Sequence, residues 1–187
     1  MTVITTSIAD LHILIPKVFQ DNRGWFMESL SYRTLRDAGL NYEFVQDNHS
    51  FSLNKGVLRG LHFQRGGHAQ AKIVRCIRGA VLDVAVDLRK RSPTYGKWVS
   101  VELSAENKKQ LLIPKGFAHG FLTLTDDTEI LYKADNYYEP TSDTSIRWND
   151  DDIGIDWGID NPILSDKDRV APMLKDIDAG FVYGVKA

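Results

Sequence analysis

Cysteine is almost absent from this chain: Cys76 is the only one in 187 residues. A single thiol excludes an internal disulfide framework and any cysteine-rich zinc site, and it suits a reducing compartment. No apolar run approaches the ~20 residues of a membrane span. The opening MTVITTSIADLHILIP has neither the basic start nor the small-residue cleavage site of a secretory leader. Neither sign of charge dominates. With a formal net charge of −2 and a pI near 6.2, the molecule has no bulk electrostatic reason to seek nucleic acid or an anionic membrane. Also missing is any G-x-G-x-x-G or Walker pattern, so a bound phosphate would be met by side chains and not by a Gly-rich loop. Together these absences predict a soluble cytoplasmic protein that meets any anionic ligand through a local cluster of cations.

What the chain does have is short β-branched and aromatic runs punctuated by Gly, Pro, Asn and Asp, with little 3.6-residue periodicity. The runs predict strands over Leu11–Ile15, Glu43–His49, Val57–Gln64, Lys72–Arg78, Val81–Leu88, Lys97–Leu103, Gln110–Ile113, Gly120–Leu124 and Glu129–Tyr137. Only Gly79 and Ala80 separate two of these, a spacing that predicts a tight hairpin. Ser31–Ala38 opens on a capping serine and stops at Gly39, which predicts a short helix. In VLDVAVDL, Leu82, Val84, Val86 and Leu88 share one face, while Asp83, Ala85 and Asp87 share the other. A face that tolerates carboxylates suggests that Asp83 and Asp87 line a barrel; the other reading of Asp83 is as partner to an inward cation. Many short antiparallel strands with such alternation predict an all-β sandwich or barrel, whose mouth is a natural small-molecule site. After Glu139 the pattern weakens into EPTSDTS, WNDDDIG and DNPILSDKD, read as an irregular C-terminal wrap. No repeat or linker divides the chain, so residues 1–187 are expected to form one domain.

Two stretches carry chemistry. In RGLHFQ, Arg59–Gln64, alternation aims His62 and Gln64 away from the face of Leu61 and Phe63. In IPKGFAHGF, Ile113–Phe121, the pattern Pro114-x-Gly116-x-x-His119-Gly120 resembles the second motif of the cupin superfamily, which turns a strand corner and points a histidine into a jelly-roll barrel. Metal-binding cupins supply His-x-His and a later Glu from their first motif. This chain has only His62, with Gln64 two residues on, so too few ligands remain for a transition metal.

The ordered set VFQDNRG, FVQDNHS, RGLHFQ, QAKIVRCIRG, IPKGFAHGF, LYKADNYY and LSDKD closely resembles the dTDP-4-dehydrorhamnose 3,5-epimerases from about Val18 to Asp168. The resemblance implies a cupin-type jelly roll that needs no metal and no cofactor. It also implies inversion of C3 and C5 of dTDP-4-dehydro-6-deoxy-D-glucose, which yields dTDP-4-dehydro-β-L-rhamnose for cell-surface polysaccharide. Inverting a carbon beside a ketone requires a base, a stabilised enolate and an acid on the opposite face. An imidazole, with an ordinary pKa of about 6.5, suits the base. The family pattern makes His62 that base, Asp168 its orienting carboxylate, Lys72 the cation at the enolate and Tyr132 the proton donor. Arg23 and Arg59 fall where the family meets diphosphate and sugar, and Glu28, Gln46, Asp47 and Asn48 where it meets base and sugar. Tyr138 matches the thymine-stacking tyrosine, and His119, Asp143 and Lys167 match further ligand contacts. Family members are homodimers that exchange N-terminal strands, which would send Arg23 and Glu28 into the neighbouring pocket. His12, His49, His68 and Cys76 stand outside this set as structural or solvent-facing residues. Alternatives are a relative that inverts only C3 or only C5, a 3,4-ketoisomerase of the same superfamily, and a non-enzymatic sugar-nucleotide binding module.

Overall fold

The computed structural model describes residues 1–185. In chain order its strands are β1 (Thr2–Thr5), β2 (His12–Ile15), β3 (Val18–Asp21), β4 (Gly24–Met27), β5 (Gln46–Ser52), β6 (Leu58–Gln64) and β7 (Lys72–Arg78). They continue with β8 (Ala80–Asp87), β9 (Trp98–Ser104), β10 (Gln110–Ile113), β11 (Phe117–Thr123), β12 (Thr128–Ala134) and β13 (Asp143–Ser145). Two short helices, α1 (Tyr32–Asp37) and α2 (Asp166–Arg169), complete the set. The expected α1 is bounded as its sequence suggests: the Ser31 hydroxyl accepts from the Thr34 amide at 3.3 Å.

Two antiparallel sheets face each other, one ordered β1-β2-β10-β7-β12-β5 and the other β13-β6-β11-β8-β9. Between them lie Leu11, Val74, Cys76, Val81, Ala85, Val101, Leu103, Leu111, Phe121 and Ile130. The stripe Val84, Val86 and Leu88 looks the other way. Together with Leu61 and Phe63 it is covered by Ile146, Ile153, Trp157, Leu174 and Phe181 of the C-terminal wrap. Both faces of this sheet are therefore covered. The inner face carries buried Asp83 and Asp87 because each is supplied with partners, whereas a lone buried carboxylate would be strongly disfavoured. Asp87 accepts from Arg89, Ser92 and Thr94 at 2.6–2.9 Å.

The expected hairpin at Gly79 does not form. β7 and β8 belong to opposite sheets, and Gly79, at φ +74°, turns the chain across the sandwich. A Cβ there would lie 2.3 Å from the Thr125 hydroxyl, so the glycine serves a crowded corner and not a two-residue loop. Strands β1, β3, β4 and β13 fall where no strand was expected. The β3–β4 hairpin is a separate two-stranded sheet that leaves Phe19, Trp25 and Phe26 exposed. No helix among the described residues is long and apolar enough to cross a membrane.

Candidate active site

A cavity of about 450 Å³ opens between the sheets. Strand β6 provides two of its walls' key groups, Arg59 and His62, although strict alternation puts residues three apart on opposite faces. An irregularity resolves this: β6 pairs His62 with His119 but Arg59 with Phe121, so the register slips between them. Gly60 makes the slip possible. Its φ is +132°, and a Cβ would come within 2.5 Å of Gly120 Cα, so only glycine lets the two backbones close at this point. Leu61 and Phe63 remain under the wrap, and His62 and Arg59 both reach the cavity.

His62 Nε2 lies 2.6 Å from Asp168 Oδ1. Asp168 sits on α2, its backbone amide held by the Ser165 cap at 3.1 Å, and its side chain is 3% exposed. Burial pushes this carboxyl's pKa up, but bonds from His62, Ser165 and the Gly60 amide outweigh it and hold the value below the ordinary one. An ionised Asp168 accepts the Nε2 proton and leaves Nδ1 of His62 as the basic atom. A second histidine–carboxylate pair lies beside it. His119 Nε2 is 3.0 Å from Asp83 Oδ2, both buried, and His119 also lines the cavity.

The facing sheet contributes Lys72 on β7 and Tyr132 on β12. These strands are neighbours, and the Lys72 Nζ stands 5.7 Å from the Tyr132 ring centroid. Among the described residues no carboxylate lies within ion-pair distance of Lys72; burial pushes its pKa down to about 8, opposed by the more distant Asp143 and Asp83. The Tyr132 phenol is pushed the other way, raised by burial and then by Asp143, with Arg59 opposing. It thus holds its proton at neutral pH. A base therefore stands on one sheet, and an acid and a cation on the other.

The remaining expected contacts divide. Gln46 and Asn48 face inward on β5 and bond each other at 3.1 Å, and Gln46 Oε1 accepts from the Tyr138 amide at 3.0 Å. Asp47 does not join them. The same alternation turns it outward, 70% exposed and 2.7 Å from Lys133. The inward neighbour that sequence reasoning missed is Ser50, two residues beyond Asn48, which lines the cavity; the period of two was the available signal. Tyr138 donates its hydroxyl to Asp143 Oδ2 at 3.3 Å, and Lys167 pairs with the same oxygen. Arg59 is held by Ser52 Oγ and the Phe51 carbonyl at 3.5 and 3.2 Å. Arg23 and Glu28 do not reach this cavity: Arg23, on the β3–β4 hairpin, is 85% exposed and paired with Asp21, and Glu28 follows β4 at the surface.

Gln64 has structural work where a metal cupin keeps a histidine. Its amide donates to the carbonyls of His68 and Tyr137 at 2.7 and 3.1 Å and accepts from the Glu139 amide at 2.7 Å. The loop carrying Tyr138 is thereby tied to β6. Among the described residues no three His, Cys, Asp or Glu side chains converge as metal ligands, so the donor set does not suit the metal of other cupins. Cys76 is buried in the core between the sheets, and burial pushes its thiol up to about 11, which keeps it unreactive.

Two facing antiparallel sheets with a side-chain-lined cavity between them place the molecule among the cupin-type jelly rolls. Within that class the chain belongs to the family described as dTDP-4-dehydrorhamnose 3,5-epimerase, whose model matches residues 5–176. The enzyme of that name from Salmonella typhimurium is 60% identical over 176 residues, 93% of this chain and 96% of the relative. The structure of dTDP-6-deoxy-D-glucose-3,5-epimerase from Legionella pneumophila, in complex with dTDP-4-keto-L-rhamnose, superposes with a TM-score of 0.93. It is 46% identical and covers 98% of this chain and 99% of its own. The Bacillus anthracis dTDP-4-dehydrorhamnose 3,5-epimerase with TDP and PPi bound gives a TM-score of 0.90 at 48% identity, covering 92% and 98%.

Proposed function

We propose that the chain, acting as one domain over residues 1–187, epimerises dTDP-4-dehydro-6-deoxy-D-glucose at C3 and C5 to dTDP-4-dehydro-β-L-rhamnose. One observation carries the reading: a carboxylate-oriented imidazole stands on one sheet and a protonated phenol on the other, with a cavity between them. His62 Nδ1 takes the proton from the carbon beside the C4 ketone. As the C–H electrons move into the enolate, negative charge gathers on O4, and the Lys72 ammonium meets it. One such donor in a water-poor site is worth about 2.7–4 kcal/mol, or roughly 10² to 10³ in rate. Tyr132 returns a proton to the opposite face, which inverts the centre. C3 and C5 both flank C4, so a single oxyanion partner serves both inversions while the ring presents one carbon and then the other to His62.

Arg59 and Lys167 suit the diphosphate, since a guanidinium and an ammonium that both line the cavity balance its charge. Gln46, Asn48 and Tyr138 suit the thymidine end; His119, fixed by Asp83, and Asp143 suit the sugar. The β3–β4 hairpin supports a homodimer with exchange of N-terminal strands: it exposes Phe19, Trp25 and Phe26, which a monomer would leave in water. In that dimer Arg23 and Glu28 enter the partner's cavity. The reaction is cytoplasmic and supplies L-rhamnose for cell-surface polysaccharide.

NMR of the product tests this. The wild type yields a 4-keto sugar inverted at both centres; His62→Ala loses at least 10³-fold in turnover while its affinity for dTDP stays within about threefold. A displaced carbonyl would make the chain a ketoisomerase. No turnover by either form would make it a binding module.

A further inference from the structure

The described lysines divide by what holds them. Lys90, Lys115, Lys133 and Lys167 form ion pairs with carboxylates. Lys108 donates to a backbone carbonyl at 2.7 Å and covers Trp25, and Lys17 stands over Phe19 at the surface. Lys55, Lys97, Lys109 and Lys175 make no ion pair among the described residues, and none of them lines the cavity; Lys72 does line it, as Lys167 does, but with the face of Tyr132 against it in place of a carboxylate. The same cavity carries Arg59 and Lys167. An anionic molecule drawn in by those two cations enters the cavity that also holds the Lys72 amine, which no carboxylate pairs directly among the described residues.

We propose that Lys72 is a covalent modification site for small aldehydes that carry a phosphate, with the phosphate seated by Arg59 and Lys167 and the carbonyl presented to Nζ. The neutral amine attacks the aldehyde carbon and forms the C–N bond. The former carbonyl oxygen gains a proton and becomes the carbinolamine hydroxyl. Loss of water gives the protonated imine, and no oxidant or reductant is consumed. A molecule so attached fills the space in which the enolate would form and takes up the nitrogen that would meet it, so modification and turnover exclude each other. The lowered pKa agrees with this placement. With a value of about 8, roughly one tenth of Lys72 is neutral at pH 7, against about one in 2,500 for an ordinary lysine near 10.4. The site itself borrows from the proposed function only the anion-binding lining of the cavity; the loss of turnover on labelling also borrows the role of Lys72 at the enolate.

The test uses the full chain and pyridoxal 5′-phosphate, with borohydride to fix the imine and peptide mass mapping to locate it. Expected is one dominant label per chain, at Lys72, suppressed more than tenfold by excess dTDP, with turnover lost in step. Pyridoxal, which lacks the phosphate, should label Lys72 at least tenfold more slowly. Lys72→Arg should lose the dominant label and keep the faint surface background. Label spread over exposed lysines, label concentrated at Lys167, or Lys72 labelling indifferent to dTDP or to the phosphate would each overturn the proposal. Because labelling is read without turnover, a chain that labels as expected but converts no sugar nucleotide would uphold this site and overturn the epimerase reading.

Discussion

Replacing Asp168 by asparagine should damage the enzyme more than replacing it by alanine, although asparagine is the closer copy in shape. The reason is the tautomer of His62. Asp168 Oδ1 faces His62 Nε2 at 2.6 Å, while Oδ2 faces the Gly60 amide at 3.5 Å. An asparagine in this place must give its carbonyl oxygen to the Gly60 N–H, since an N–H cannot accept. That turns the amide nitrogen towards Nε2, which then has to accept, and the imidazole proton moves to Nδ1. In the proposed mechanism Nδ1 is the atom that abstracts the substrate proton. Alanine imposes no tautomer; it removes a charge-assisted hydrogen bond worth about 1.5–3 kcal/mol, which is roughly 10- to 150-fold in rate. An enforced wrong tautomer costs more, about 10⁴ in the comparable serine-protease substitution. Steady-state kinetics should therefore give kcat losses of about 10–10² for Asp168→Ala and at least 10³ for Asp168→Asn. Affinity for dTDP should be nearly unchanged in both. An asparagine variant as active as the alanine variant, or more so, would refute the assignment of Nδ1 as the base.

In the proposed mechanism the Lys72 ammonium is the working form, and its pKa is pushed down to about 8, so kcat/KM should be flat near neutrality and fall about tenfold per unit above pH 8; a plateau extending to pH 10 would count against a charged Lys72. Lys72→Met should lose about 10²–10³ in kcat and lose that alkaline limb as well. Gln64→Ala removes three hydrogen bonds that tie the Tyr138 loop to β6; at about 0.5–1.5 kcal/mol each the loss is about 1.5–4.5 kcal/mol, a fall in Tm of roughly 3–18 °C by calorimetry. Gly60→Ala places a Cβ 2.5 Å from Gly120 Cα, and should lower both Tm and turnover because the register slip that puts Arg59 beside His62 cannot be kept. Sedimentation should show a dimer that weakens when Trp25 and Phe26 on the exposed hairpin become serine; an unchanged sedimentation coefficient would remove the hairpin from the interface.

Much of the site was legible because its residues occur on strands with simple alternation. Lys72, Val74 and Cys76 share an inward face, and the burial pattern of β5 separates Gln46 and Asn48 from Asp47 by period two alone. Asp83 could be read as a lining carboxylate in want of a partner, and the structure supplies His119. What sequence could not show was long-range or irregular. Asp168, which the family resemblance named and no local pattern could, reaches His62 across 106 residues. The slip at Gly60 breaks the very alternation used to read RGLHFQ. Gly79 signals a hairpin and a crossover equally well, because a positive φ serves both, and only the sheet order distinguishes them. The β3–β4 hairpin escaped notice since VFQD and GWFM are exposed on nearly every residue, so no buried face imprinted a pattern. Gln64 was read through what it is not, a metal ligand. Its positive role, three bonds to backbone groups of the loop, depends on partners distant in sequence.

The claim that both centres beside the C4 ketone exchange through one pair of facing side chains is tested most directly by turnover in heavy water. The account predicts product carrying deuterium at both C3 and C5, with both exchanges lost together in His62→Ala. Deuterium at only one centre, or inversion without any solvent label, would contradict it.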